Sequence, residues 1–210
     1  MDNKPLFITG ISTEVGKTIV SAVITEQLKA DYWKPVQAGD LNNTDTDQVK
    51  QLISNTRSTF YPETYQFEMA ASPHRAAKRE GIEIRLQDFH LPETNNQLLI
   101  EGAGGLFVPL SHRFLMIDLI RLLGADTILV VRNYLGCINH TLLSIHALVS
   151  KNIPLKHVVL NGDFDFDTLN VLLHHLPKNT TWSKLPEFTV INRDAIANAP
   201  LQFNPIPIIN

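Results

Sequence analysis

The run Leu6-Phe-Ile-Thr-Gly-Ile-Ser-Thr-Glu-Val-Gly-Lys-Thr18 constrains this chain more than any other stretch. A short apolar strand enters a loop bounded by Gly10 and Gly16. Lys17 and Thr18 follow, and a helical pattern starts at Ile19. That is the layout of a phosphate-cradling loop. Backbone N–H groups of the loop (Glu14, Val15, Gly16) and of the helix start surround phosphates, the lysine neutralises them, and the threonine hydroxyl holds Mg²⁺. Five residues separate Gly10 from Gly16, one more than the general pattern has. The flanking strand and helix carry the reading.

Strand-like runs then alternate with helical ones. Leu6–Thr9, Tyr32–Val36, Gln97–Glu101, Asp126–Val131 and Val158–Leu160 read as strands. Ile19–Lys29, Asp47–Ile53, Phe114–Leu123 and Asn139–Val149 read as helices, and Ser72 as N-cap with Pro73 opens another that Gly81 ends. Continuous apolar strands are what a parallel sheet covered on both faces requires. The pattern predicts an α/β, doubly wound, mostly parallel sheet in one domain over residues 1–210. After Phe164 the signal weakens to a helix over Leu169–Leu176 and a mixed tail from Thr180.

Composition narrows the partners. The 210 residues are 44% hydrophobic and 19% charged, an ordinary soluble composition. A formal net charge of −3 argues against a broad nucleic-acid or anionic-membrane surface. No apolar run reaches transmembrane length, and the start has no secretory core. The single cysteine, Cys137, excludes an internal disulfide and fits a reducing cytoplasm. A cytoplasmic protein is the expectation.

In such sheets ligands sit beyond the carboxyl ends of the strands. Polar or glycine-rich elements follow several of them: Gly10–Thr18, Lys34–Gly39, Glu101–Gly105, Asn133–Asn139 and Asn161. Besides Thr18, an ion bridging phosphates takes one or two carboxylates. Glu101 terminates an apolar strand, where a charge is otherwise costly. Asp45 and Asp47 both remain open as the second acid, since either also suits a helix cap or first turn. Lys34, at the end of an apolar strand, would stabilise charge on a transferring phosphoryl group. Gly102–Gly105, with Ala103 and Gly104 between, allows close backbone approach to a ligand. Asn139 is the expected N-cap of the helix that follows Leu135-Gly-Cys-Ile138, and that helix start could bind a carboxylate. Asn161 could meet a base edge or cap a turn.

These blocks together resemble the dethiobiotin synthetase family. The resemblance rests on Thr9–Thr18, Lys34-Pro-Val-Gln-Ala-Gly39, Thr46-Asp47, Ser72-Pro-His74, Glu101–Gly105 with Val108-Pro-Leu110, and Leu135–His140, in order over residues 6–162. The family uses the longer glycine spacing. The resemblance implies 7,8-diaminononanoate, CO₂ or bicarbonate and MgATP as substrates, joined through a carbamate and its mixed anhydride with phosphate. It implies Lys34, Lys17 and Thr13 at the reacting groups, and Thr18, Asp47 and Glu101 on Mg²⁺, choosing Asp47 over Asp45. Ile19, Asn161 and, more weakly, Pro186-Glu187-Phe188 fall on the nucleotide side. Ala38, Ser72 and Pro73 fall on the substrate side with Leu135, Gly136, Ile138 and Asn139. The last four match the region that takes the substrate carboxylate from the neighbouring subunit of a homodimer. Ala38 stands where related chains often carry Ser or Thr, and Asn161-Gly162 where Asn-Asp is common. The rival is a dimeric P-loop switch ATPase of the partition type. Such proteins place a second lysine early in the loop, where this chain has Ile11 and Ser12.

Overall fold

The computed structural model describes residues 4–200. The chain runs β1 (Leu6–Gly10), α1 (Lys17–Leu28), β2 (Asp31–Trp33), β3 (Val36–Ala38), α2 (Asp45–Leu52), β4 (Phe60–Tyr61), β5 (Tyr65–Phe67) and α3 (Pro73–Arg79). It continues through β6 (Leu98–Gly105), α4 (Met116–Leu123), β7 (Asp126–Arg132), α5 (Cys137–Ser150), β8 (Leu155–Asn161), α6 (Phe166–His174), β9 (Thr181–Leu185) and α7 (Arg193–Ala197).

A seven-stranded sheet has the order β4-β2-β6-β1-β7-β8-β9, and every pairing in it is parallel. Parallel strands buried on both faces need apolar residues throughout. Leu98–Ile100 and Ile128–Val131 meet that demand and are buried. Helices cover both faces, with α1 against α2 and α7 in one group and α5 against α6 in another. Val20, Val23 and Ile24 of α1 are fully or almost fully buried. The helix ends as Lys29 turns left-handed, its N–H reaching Thr25 O. The order in which strands are added reverses at β1: β2 and β4 lie to one side, and after β6 the chain passes over β1 to β7. The phosphate-type loop follows β1 at that switch point, where open α/β sheets place ligands.

Several expected boundaries move, each for a local reason. Tyr32–Val36 is not one strand, because Pro35 has no N–H to give a ladder. β2 stops at Trp33, and Val36–Ala38 leaves to pair with Tyr65–Phe67 in a separate two-stranded sheet. Lys34 is left between the two sheets. β6 runs on through its glycines to Gly105 instead of stopping at Glu101. Gly102 serves packing there, since a Cβ would lie 2.6 Å from Phe7 Cε1. α5 starts at Cys137 on a left-handed Gly136 (φ 105°), so Asn139 lies inside the helix and is not its N-cap. α6 begins at Phe166 because the Asp165 side chain caps Thr168 N. The tail that carried no clear pattern forms β9 and α7.

Candidate active site

The register of three neighbouring strands sets the site. Leu99, Ile100 and Glu101 of β6 pair with Leu6, Phe7 and Ile8 of β1, and Trp33 of β2 pairs with Ile100. Lys34, the residue just after β2, therefore stands beside Glu101 within β6, next to the loop that follows Gly10.

Glu101 has no exposed surface. Its Oε1 accepts from Thr18 Oγ1 at 3.1 Å and from Lys34 Nζ at 3.2 Å, and its Oε2 accepts from the Tyr32 hydroxyl at 3.0 Å. Thr18 Oγ1 also lies 3.0 Å from Asp45 Oδ1, while Asp45 Oδ2 pairs with Lys34. One hydroxyl proton cannot serve two carboxylates fully, so the three converging oxygens are a set that could hold a cation. Neighbouring oxygens around octahedral Mg²⁺ at 2.0–2.1 Å stand about 2.9 Å apart. The Thr18 separations match that spacing, and the donors are all hard oxygens. The residues present fit Mg²⁺.

The charges are set by the same neighbours. Burial would lower the Lys34 pKa, but Glu101 and Asp45 outweigh it and the value rises, so an ammonium persists. Burial would raise Asp45; Lys34, then Thr18 and Lys17, outweigh it and hold the group below the usual carboxylate range. Lys17 is lowered, chiefly by burial and further by Lys34, against the pull of Glu101. Burial, with Glu101 and Asp45 beside it, pushes the Tyr32 phenol well above 10, so it remains a donor.

The loop itself is shaped for an anion. Glu14 (φ 58°) and Gly16 (φ 89°) are both left-handed, Val15 is buried, and no side chain caps α1. The first-turn N–H groups are thus available to phosphate oxygens. Lys17 Nζ reaches back to Ser12 O at 3.4 Å. Asn161, at the end of β8, donates Nδ2 to Val15 O at 2.8 Å. A Cβ on Gly16 would stand 2.2 Å from that same amide, so glycine is required there. Ile19 packs against the core behind the loop. Thr13 lies over Gly104 and lines a cavity of about 380 Å³ with Ile11, Ser12, Phe107, His140 and Leu143. Ala103 is partly buried behind Gly104. The weak match at Pro186–Phe188 falls just past β9, where Gly162 N donates to Leu185 O at 2.7 Å and Glu187 pairs with Arg132 at 3.0 Å. It therefore follows directly on the strand that pairs with Asn161.

One expected residue is displaced. Asp47 does not join Thr18. Thr44 is the N-cap of α2, and Asp47 is the third helical residue of a capping box, with Oδ2 accepting from Thr44 N at 3.0 Å and Thr44 Oγ1 at 2.8 Å. Asp45, the first residue of the helix, points at Thr18, and its N–H is oriented toward Gln37 Oε1 at 3.4 Å. The helix starts two residues earlier than the sequence pattern suggested, and that exchange follows. The Thr44-x-x-Asp47 spacing was the signal that could have found it. Tyr32 and Gln37 were also missed, because a buried phenol and an amide read as ordinary strand residues.

The substrate-side residues divide. Ala38 lies in β3 and Ser72-Pro73 start α3, which packs against β3; Pro73 is buried and Ser72 partly so. Leu135, Gly136 and Asn139 are exposed, with Leu135 wholly so, and Ile138 packs inward. Tyr134, just before them, hydrogen-bonds His140 Nδ1 at 2.7 Å and Ser12 of the loop.

A family model described as an AAA domain matches residues 4–194. ATP-dependent dethiobiotin synthetase BioD of Christiangramia forsetii is 52% identical over 160 residues, covering 76% of this chain and 77% of that protein. The chain belongs to the dethiobiotin synthetase family. The BioD proteins of Cytophaga hutchinsonii (49% identical, 82% of this chain and 84% of that one) and Brucella ovis (42%, 82% and 81%) agree. A ParA family ATPase from Chlorobium tepidum TLS superposes with TM-score 0.55 at 11% identity, covering 92% of this chain and 87% of that one. That likeness is one of fold alone, so the family membership favours the synthetase over a partition ATPase. It is consistent with the loop, which lacks the early lysine.

Proposed function

We propose that this member of the dethiobiotin synthetase family closes the ureido ring of dethiobiotin from 7,8-diaminononanoate, CO₂ and ATP, releasing ADP and phosphate. The observation that carries the residue assignment is the convergence of Lys34, Thr18, Asp45 and Glu101 beside the phosphate loop.

One amine of the diamine adds to CO₂ and loses a proton, giving a carbamate. A carbamate oxygen attacks the γ-phosphorus, and ADP departs. The second amine then attacks the carbamoyl carbon, the C–O bond to phosphate breaks, and the ring closes as a proton leaves. Lys34 offers a fixed ammonium to the carbamate and γ-phosphate oxygens, and Lys17 a second from within the loop. Thr13 supplies a hydroxyl at the cavity wall. Thr18, Asp45 and Glu101 would hold Mg²⁺, which when bound neutralises charge on the phosphates. The protein's own task is to hold two amines in line and keep water from a labile anhydride.

Glu14–Ile19 with Gly102–Gly104 take the phosphates, and Asn161 with Pro186–Phe188 the base. Asn161 gives one Nδ2–H to Val15 O, which leaves its second N–H and its amide oxygen for a base edge. Ser72, Pro73 and Ala38 line the substrate side. Leu135, Gly136, Ile138 and Asn139 complete a second copy's site in a homodimer. The exposure of Leu135, Phe107 and Leu143 on this rim supports that arrangement. Residues 1–210 act as one domain in the cytoplasm. No helix among the described residues is long and apolar enough to cross a membrane.

Purified protein is incubated with diaminononanoate, bicarbonate and MgATP, and the products are analysed by mass spectrometry. The cyclic urea with free phosphate is expected. A phosphorylated diamine, or ATP hydrolysis indifferent to the diamine, would overturn the proposal.

A further inference from the structure

The Lys34 cluster has a rear support that the family reading does not use. Tyr32 is fully buried in β2, between β6 and the edge strand β4, and its ring meets that of Phe60 at 5.7 Å between centroids. Its hydroxyl donates to Glu101 Oε2 at 3.0 Å, on the far side of the carboxylate from Thr18 and Lys34, which share Oε1. Among the described residues no other donor is recorded for Oε2. Glu101 is itself without exposed surface, so water does not replace that donor.

We infer that Tyr32 is a positioning residue for the cation site: its hydroxyl holds Glu101 Oε2 and so fixes Oε1 toward Thr18, making Glu101 a one-oxygen ligand. This rests on the reading of Thr18, Asp45 and Glu101 as the Mg²⁺ site. The physical reason is rotational. A buried carboxylate held at both oxygens keeps one rotation about its side-chain bond, whereas release of Oε2 leaves it anchored only at Oε1 and free to turn. Groups that orient a metal-ligating carboxylate typically carry 10–100-fold of metal affinity.

The test is Y32F, which removes one oxygen atom and keeps the ring. Mn²⁺ serves as the probe, with its Kd read by electron paramagnetic resonance on the full chain with ADP. Y32F should weaken Mn²⁺ by about 10–100-fold while metal-free ADP affinity in EDTA stays as in wild type. F60L loosens the same ring without touching the hydroxyl and should keep wild-type Mn²⁺ affinity. If wild type binds no Mn²⁺, the Mg²⁺ reading itself fails. If wild type binds and Y32F matches it within twofold, or F60L falls as far as Y32F, the role of Tyr32 is overturned. Should Y32F not fold, wild-type protein with ¹³C-labelled tyrosine answers the question. Of its four tyrosines, the ring carbon bearing the Tyr32 hydroxyl should shift as Mg²⁺ is added, and a Tyr32 signal that stays fixed overturns the role.

Discussion

Thr18 and Asp45, twenty-seven residues apart in the chain, meet with their oxygens 3.0 Å from each other. Thr18 arrives on the first turn of α1 and Asp45 on the first turn of α2, and α1 packs against α2. The helix starts thus deliver a hydroxyl and a carboxylate to one point, and Glu101 reaches the same point from the sheet.

Asp45→Asn and Asp47→Asn should therefore behave differently. The first removes a charge from the cation site and should raise the Mg²⁺ concentration needed for half-maximal ring closure by tenfold or more, as an order-of-magnitude expectation. The second weakens the capping box and should cost about 1 kcal/mol of stability with little change in Mg²⁺ dependence. Mg²⁺ titrations of the rate, paired with urea melts, distinguish them. The reverse pattern would restore Asp47 to the site.

Lys34→Ala leaves two acids at the site without their shared ammonium. Ring closure should fall by at least about 10²-fold, the scale for losing one preorganised charge at a developing anion. Breaking a buried ion pair on one side is also destabilising by about 3–5 kcal/mol, reduced here because Asp45 is partly open to solvent. Mg²⁺ should raise the melting temperature of Lys34→Ala more than that of wild type, since it replaces the lost positive charge. Calorimetry with and without Mg²⁺ checks this, and an equal shift in both proteins would contradict it.

Gly16→Ala should abolish tight nucleotide binding. The new methyl would sit 2.2 Å from Asn161 Nδ2, at a backbone φ of 89°. Either the Asn161–Val15 hydrogen bond breaks or the loop opens. Equilibrium binding of a fluorescent ADP should weaken by about 10²-fold, corresponding to about 2–3 kcal/mol. Retained affinity would show that the loop adapts.

His157 predicts an acid limit to stability unrelated to catalysis. It sits in β8, buried, with Nδ1 2.6 Å from Thr181 Oγ1 and Nε2 2.9 Å from Ser183 Oγ across to β9. Burial pushes its pKa down from 6.5 to about 4. The unfolded chain therefore binds this proton more readily than the folded one. The contribution is fully present above about pH 6.5 and is lost as pH falls from there toward 4, reaching about 3 kcal/mol. Urea midpoints at pH 7.5 and 4.5 should differ less in His157→Gln than in wild type. An unchanged difference would remove His157 as the cause.

Much of this was legible in the residues themselves. Gly10–Thr18 announces an anion loop because only a few residue types tolerate its left-handed turns and supply its charges. The apolar runs at Leu98–Ile100 and Thr127–Val131 announce buried parallel strands because both faces must be covered. Which acid turns inward was legible only in part. The Thr44-x-x-Asp47 spacing marks Asp47 as a capping acid, but that Asp45 then meets Thr18 depends on how α2 packs against α1. Nor could the sequence show Tyr32 behind Glu101, since that contact spans 69 positions and exists only because β2 lies beside β6. Local chemistry is written in the chain, where each residue's neighbours along the backbone suffice. Contacts between distant residues depend on strand register and helix start, which the packed tertiary structure alone fixes.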